Sequence, residues 1–246
     1  MHHSLQARGN NGNGASRNPR LLEGVLSNVV LFRGIAQRQL CDLAARSRAL
    51  HCRRGTTICP QGQCQPGLFA LAYGQVKLAF RGPDGDERVL RIVGPADSFG
   101  LAVALLGRPL PYDAVALDDT FLVMVPTGAV LALVENDPRF MRTVLNSLAE
   151  RTVALLGEVE SGALQCGVQR LASYLDSLAV PNGHDGTFTA RLPATKTVVA
   201  SRLGVKKETL SRMLRELARK GLIAVEQREI AILDRLGLVA VARQET

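Results

Sequence analysis

Between residues 198 and 217 apolar side chains recur at Val198, Val199, Leu203, Val205, Leu210, Met213, Leu214 and Leu217, a spacing that predicts two short helices packed together. Ala200 is small where such helices approach, and Gly204 falls where the chain must turn. With the second helix starting near Lys206, Glu208, Ser211, Arg212 and Arg215 follow at i, i+3, i+4 and i+7 and make one polar stripe opposite the apolar one. Upstream the period changes. Arg54-Gly55-Thr56-Thr57-Ile58, then Leu68 to Leu78, then Arg88 to Val93 read as short alternating strands punctuated by glycine, with Pro83 to Glu87 as a turn. Such spacing predicts a small antiparallel barrel.

Between the two regions, after Asp137-Pro138, Met141, Leu145, Leu148, Thr152, Leu155, Val159 and Gly162 alternate by four and three. That heptad seam predicts a parallel coiled coil between two copies of the chain, with Thr152 and Gly162 as poor seam residues. Gly162 and Gly167 predict a helix break before Val168 to Leu178 opens the next unit.

The polar stripe has the chemistry of a base reader. Arg212 or Arg215 can grip guanine O6 and N7 bidentately, Glu208 can accept from cytosine N4, and Ser211 can serve several bases. Lys196, Thr197, Arg202, Lys206, Lys207, Thr209, Arg215, Arg219 and Lys220 around it suit phosphates or support the readers. A formal net charge of +8 over 246 residues fits a polyanionic partner, double-stranded DNA. Aromatic residues make up only 4% of the chain, which disfavours the stacking platforms of single-strand and RNA binders. Residues 1–20, rich in Asn, Gly and Arg, are expected to be disordered and lack the apolar core of a secretory signal. No apolar run reaches membrane-spanning length, so the expected location is cytoplasmic.

Glu208-Thr209-Leu210-Ser211-Arg212 resembles the Glu-x-x-Ser-Arg recognition motif of Crp/Fnr-type regulators, in the Fnr-like branch. Gly221-Leu222-Ile223 and Arg228 to Asp234 resemble the wing of that domain, and are most similar to the nitric-oxide-responsive denitrification regulators. The resemblance implies an α+β fold: a cyclic-nucleotide-binding-like β-roll, or jelly-roll barrel, over 21–137, a dimerisation helix over 138–166 and a winged helix-turn-helix over 167–246. It further implies a homodimeric transcription activator that reads an inverted repeat of TTGAT-like half-sites, with RNA polymerase as partner. The dimer seam then comprises Met141, Leu145, Leu148, Leu155 and Val159.

The resemblance also bears on the signal. Cyclic-nucleotide-binding relatives hold the ribose with Gly-Glu-Leu and the phosphate with Arg-Ser; the matching stretches here are Gly100-Leu101-Ala102 and Tyr112-Asp113. Both anchors are missing, Arg108 stands four residues off, and a carboxylate at Asp113 repels a phosphate, so cyclic AMP is disfavoured. An iron–sulfur cluster is disfavoured too, since no cysteine precedes Cys41. Cys52 and Cys59 read as structural, Cys59 in a core position, with Cys64 in an exposed turn as the exception. Haem stays open as the cofactor of a nitric oxide or redox sensor, with His51 as the one histidine in the sensor and His184 in a loop. A cupin-like barrel enzyme is the remote alternative. It needs several metal-binding His residues where only His51 is available, and no G-x-S-x-G nucleophile elbow occurs.

Overall fold

Apolar runs that alternate in the sequence become two facing sheets, and periodic ones become the helices that cover or extend them. The computed structural model describes residues 18–82, 85–182 and 187–243. Helices α1 (Pro19–Asn28) and α2 (Gln37–Arg46) precede strands β1 (Arg48–Cys52), β2 (Thr57–Cys59), β3 (Gly67–Tyr73), β4 (Val76–Arg81), β5 (Glu87–Val93) and β6 (Ser98–Phe99). A short helix α3 (Leu101–Leu106) leads to β7 (Asp113–Ala116) and β8 (Thr120–Pro126). The strands form two open four-stranded sheets, ordered β1-β8-β3-β6 and β2-β7-β4-β5, all paired antiparallel.

Phe69, Leu71, Phe99, Leu122 and Met124 from one sheet meet Cys59, Val76, Leu78, Val93 and Ala114 from the other in a single buried core. The first sheet is also covered outside. Leu68, Ala70, Phe121, Val123 and Val125 pack against α1, α2 and the helices that follow. Strands β3 and β8 are therefore buried on both faces, and the alternation expected of β3 is absent for that reason.

Helix α4 (Thr127–Asn136) is followed directly by α5 (Pro138–Leu164). Asp137 caps α5, accepting from the Arg139 N–H at 2.9 Å and the Phe140 N–H at 3.2 Å, while Pro138 fills the first position, where no N–H is needed. The Phe140 N–H, helped by Gln39, holds the Asp137 carboxyl below the usual range. Phe140 stacks on Phe32 with centroids 5.8 Å apart and fixes the root of α5 to the first core.

The C-terminal unit comprises α6 (Gly167–Ser177), β9 (Ala179–Asn182), β10 (Thr187–Arg191), α7 (Lys196–Leu203), α8 (Lys207–Arg219), β11 (Ile223–Glu226), β12 (Glu229–Ile232) and α9 (Arg235–Arg243). Its sheet runs β11-β12-β10-β9. Leu171, Leu175, Val199, Leu210, Leu217, Ile230 and Leu238 make its core. The architecture is thus α+β, with a cyclic-nucleotide-binding-type roll, a long helix and a helix-turn-helix with a strand-built wing.

The expected break ahead of Val168 is present: α5 runs through Gly162 to Leu164, and the chain breaks at Gln165 and Cys166, just before α6 opens at Gly167. A glycine in a helix lowers its propensity without stopping it. Gly167 instead serves packing, because a Cβ there would come 2.9 Å from the Met213 sulfur. Helix α1 opens at Pro19, inside the segment expected to be disordered; residues 1–17 lie outside the described residues, as do Pro83, Asp84 and His184. Among the described residues no helix is long and apolar enough to cross a membrane.

Candidate nucleic-acid interface and sensor interior

The two helices α7 and α8 meet at Gly204, whose φ of +69° is a left-handed conformation that glycine adopts at little cost. A side chain there would also have to displace the exposed Arg88 guanidinium of β5. The turn sets α8 so that Leu210, Met213, Leu214 and Leu217 are buried, while Glu208, Arg212 and Arg215 stand exposed and Ser211 and Thr209 are half-buried. Ser211 Oγ donates to the Lys207 carbonyl at 3.0 Å, and Arg215 Nε to the Ser211 carbonyl at 3.3 Å. Among the described residues Glu208 and Arg212 make no side-chain hydrogen bond or ion pair, and neither do Lys196, Thr197, Lys206 or Lys207. An exposed, unpaired Glu and Arg one helical turn apart, flanked by free lysines, leave their full hydrogen-bonding capacity to a ligand.

Two expected phosphate contacts stand elsewhere. Arg202 turns back to the roll: its guanidinium donates to the Leu90 carbonyl and pairs with Glu158 of α5 at 3.1 Å. Lys220 pairs with Glu216 at 3.2 Å. Beside Arg202, Ser201 Oγ donates to the Glu87 carbonyl at 2.6 Å and accepts from the Val89 N–H at 3.1 Å. The first helix of the pair is therefore bonded to the free edge of β5. The sequence carried no sign of this seam, because its partners are backbone atoms of a distant strand.

On α5 the expected seam residues Met141, Leu145, Leu155 and Val159 are exposed, and Leu148 is half-buried against the first core. Val153, Leu156 and Leu164 are exposed as well and were missed by a strict heptad reading. The alternation of four and three does mark the uncovered face, but that face is broader than one seam.

In the roll, Gly100 takes a φ of +89° and starts α3, and Leu101 is buried behind it. Tyr112 packs against the interior core. Burial pushes this phenol above its ordinary pKa, against the pull of Arg91. Asp113 is not unpaired. Arg81 of β4 meets its carboxylate at 3.1 Å, and the Gln61 N–H donates to it at 2.8 Å. The cation beside Asp113 thus comes from the neighbouring strand, and Arg108 is not its partner. Arg91 is engaged with Asp97.

Cys59 is buried and its thiol is pushed up to about 12, first by burial and then by nearby Cys52. Cys64 is exposed. His51 is exposed and stacks on Phe121 at 4.5 Å. Among the described residues no three His, Cys, Asp or Glu side chains converge to hold a metal ion. An exposed imidazole stacked on a phenyl ring does not fit axial ligation of haem.

Residues 169–241 match the family model of the Crp-like helix-turn-helix domain, and residues 49–137 that of the cyclic nucleotide-binding domain. The chain is 30% identical over 213 residues to the cyclic AMP receptor protein of Thermus thermophilus, covering 84% of this chain and 95% of that protein. It is 26% identical over 212 residues to the transcriptional activator protein FnrA of Stutzerimonas stutzeri, covering 82% and 83%. The structure of FixK2 from Bradyrhizobium japonicum superimposes with a TM-score of 0.71 over 81% of this chain and 99% of that one; at 19% identity this likeness concerns the fold alone.

Proposed function

We propose, starting from the fact that this chain belongs to the Crp/Fnr family of transcription regulators, that it acts as a homodimer whose two α8 helices read an inverted repeat. It is a regulator that binds DNA through its helix-turn-helix and not an enzyme. The observation that carries the finer reading is the exposed, unpartnered Glu208 and Arg212 over half-buried Ser211 on one face of α8. These are the base-reading residues, with TTGAT-like half-sites as implied by the Fnr-type motif, and Lys196, Thr197, Lys206 and Lys207 hold phosphates.

The exposed apolar residues of α5 support dimerisation there, since an uncovered stripe of this kind marks an interaction surface. The protein works in the cytoplasm as an activator with RNA polymerase as partner, within the Fnr-like branch. Its signal is not cyclic AMP. Tyr112 takes up interior space, and Asp113 sets a carboxylate, already paired with Arg81, where a phosphate would need a cation. Selection from a random DNA pool tests this reading. It should return a palindrome of TTGAT-like halves, and a pool enriched in no inverted repeat contradicts it.

A further inference from the structure

At the edge of the roll, α1 and the Pro95-Ala96 turn border a solvent-open depression of about 550 Å³. Leu21, Val25 and Ala72 give it an apolar lining beside the Leu71 backbone, and Arg20 and Arg33 add two guanidiniums with no carboxylate among the lining residues. Among the described residues Arg20 makes no side-chain hydrogen bond or ion pair, and Arg33 makes one long contact, 3.5 Å to the Asn28 carbonyl. Residues 1–17 supply no counter-charge, since they contain Arg8 and Arg17 and neither Asp nor Glu.

We propose that this depression binds a small apolar carboxylic acid. A planar guanidinium matches a carboxylate bidentately, and the depression offers two of them. An alkyl body laid on Leu21, Val25 and Ala72 leaves water, which a simple inorganic anion would not exploit. The lining is also tied to the sensor strands. The Val30 N–H donates to the Ala96 carbonyl at 3.0 Å, the Ala96 N–H to Leu71 at 3.0 Å and the Leu71 N–H to Asp97 at 2.9 Å. Ala96 itself holds a φ of +64°, uncommon for a residue with a Cβ, and Asp97 is the partner of Arg91. A bound acid therefore rests on the turn that positions Arg91.

Titration calorimetry of octanoate into the full chain, with 1-octanol as the uncharged counterpart, tests the site. Octanoate should bind saturably at one site per chain, and 1-octanol at least tenfold more weakly. Arg20→Ala with Arg33→Ala should weaken octanoate at least tenfold, and Val25→Trp should abolish binding by filling the depression. Both arginines are exposed, so the double variant keeps the test sound even where the tryptophan disturbs folding. Absence of saturable octanoate binding, equal affinity for 1-octanol, or indifference to the arginine pair overturns the proposal.

Discussion

Helices α5 and α8 are both amphipathic, but their apolar faces meet different ends. In α8, Leu210, Met213, Leu214 and Leu217 are all covered by the C-terminal unit itself. In α5 only Phe140 and Val144 are buried, while Leu145, Leu156 and Val159 stay 60%, 64% and 69% exposed. Where the chain covers its own apolar stripe, the polar face opposite is free to read a ligand. Where it does not, the apolar stripe is itself the surface that needs a partner. In the proposed reading one helix therefore faces DNA, and the other a second copy of the chain.

The comparison breaks most easily at Leu156. Leu156→Lys puts a charge into the proposed interface, at a cost of about 3–5 kcal/mol when it is left unpaired, and sedimentation should show monomer at micromolar concentration. An unchanged dimer would move the interface off this face of α5. Leu217→Ala attacks the covered stripe instead. It should destabilise folding by about 3 kcal/mol, in the range for deleting a buried leucine, and lower the melting temperature without changing the stoichiometry of the folded protein.

Arg212→Ala sharpens the contrast from the polar side. Its melt should stay within about 0.5 kcal/mol of the parent, whereas operator binding loses about 1–3 kcal/mol and preference relaxes at one G·C pair. The roll core gives a pH test that neither helix face shares. The Cys59 thiol, ordinarily near 9.0, is raised to about 12, so the unfolded chain ionises first. Stability from this group is complete below pH 9 and falls by up to about 1.4 kcal/mol per pH unit above it. Cys59→Val should flatten that slope in urea titrations. The smallest effect belongs to Lys206→Ala, which should weaken all DNA sequences alike and reduce the salt slope by about one. A loss confined to one base position would make Lys206 a base reader.

The recognition helix was legible because its signals are local: apolar period, turn glycine and polar stripe lie within some twenty residues. The roll was legible as strands and glycine turns, but burial of β3 and β8 on both faces depends on helices far away in the chain. Long-range pairing also decided the misplaced residues. Basic composition marked Arg202 for a phosphate, yet Glu158 and the Leu90 carbonyl claim it, and Arg81 reaches Asp113 only because β4 lies beside β7. The seam between α7 and β5 is made largely to backbone atoms, which carry no sequence signature.

In the proposed dimer, two α8 helices held by one α5 interface must match major grooves on the same side of the duplex, about 34 Å apart. The most direct measurement is the affinity of the selected operator before and after inserting half a helical turn, about five base pairs, at its centre. Binding should fall to the nonspecific level with the half-turn insertion, each half-site being left on the opposite face. Equal affinity for both spacings would contradict a fixed dimer and leave α8 reading single half-sites.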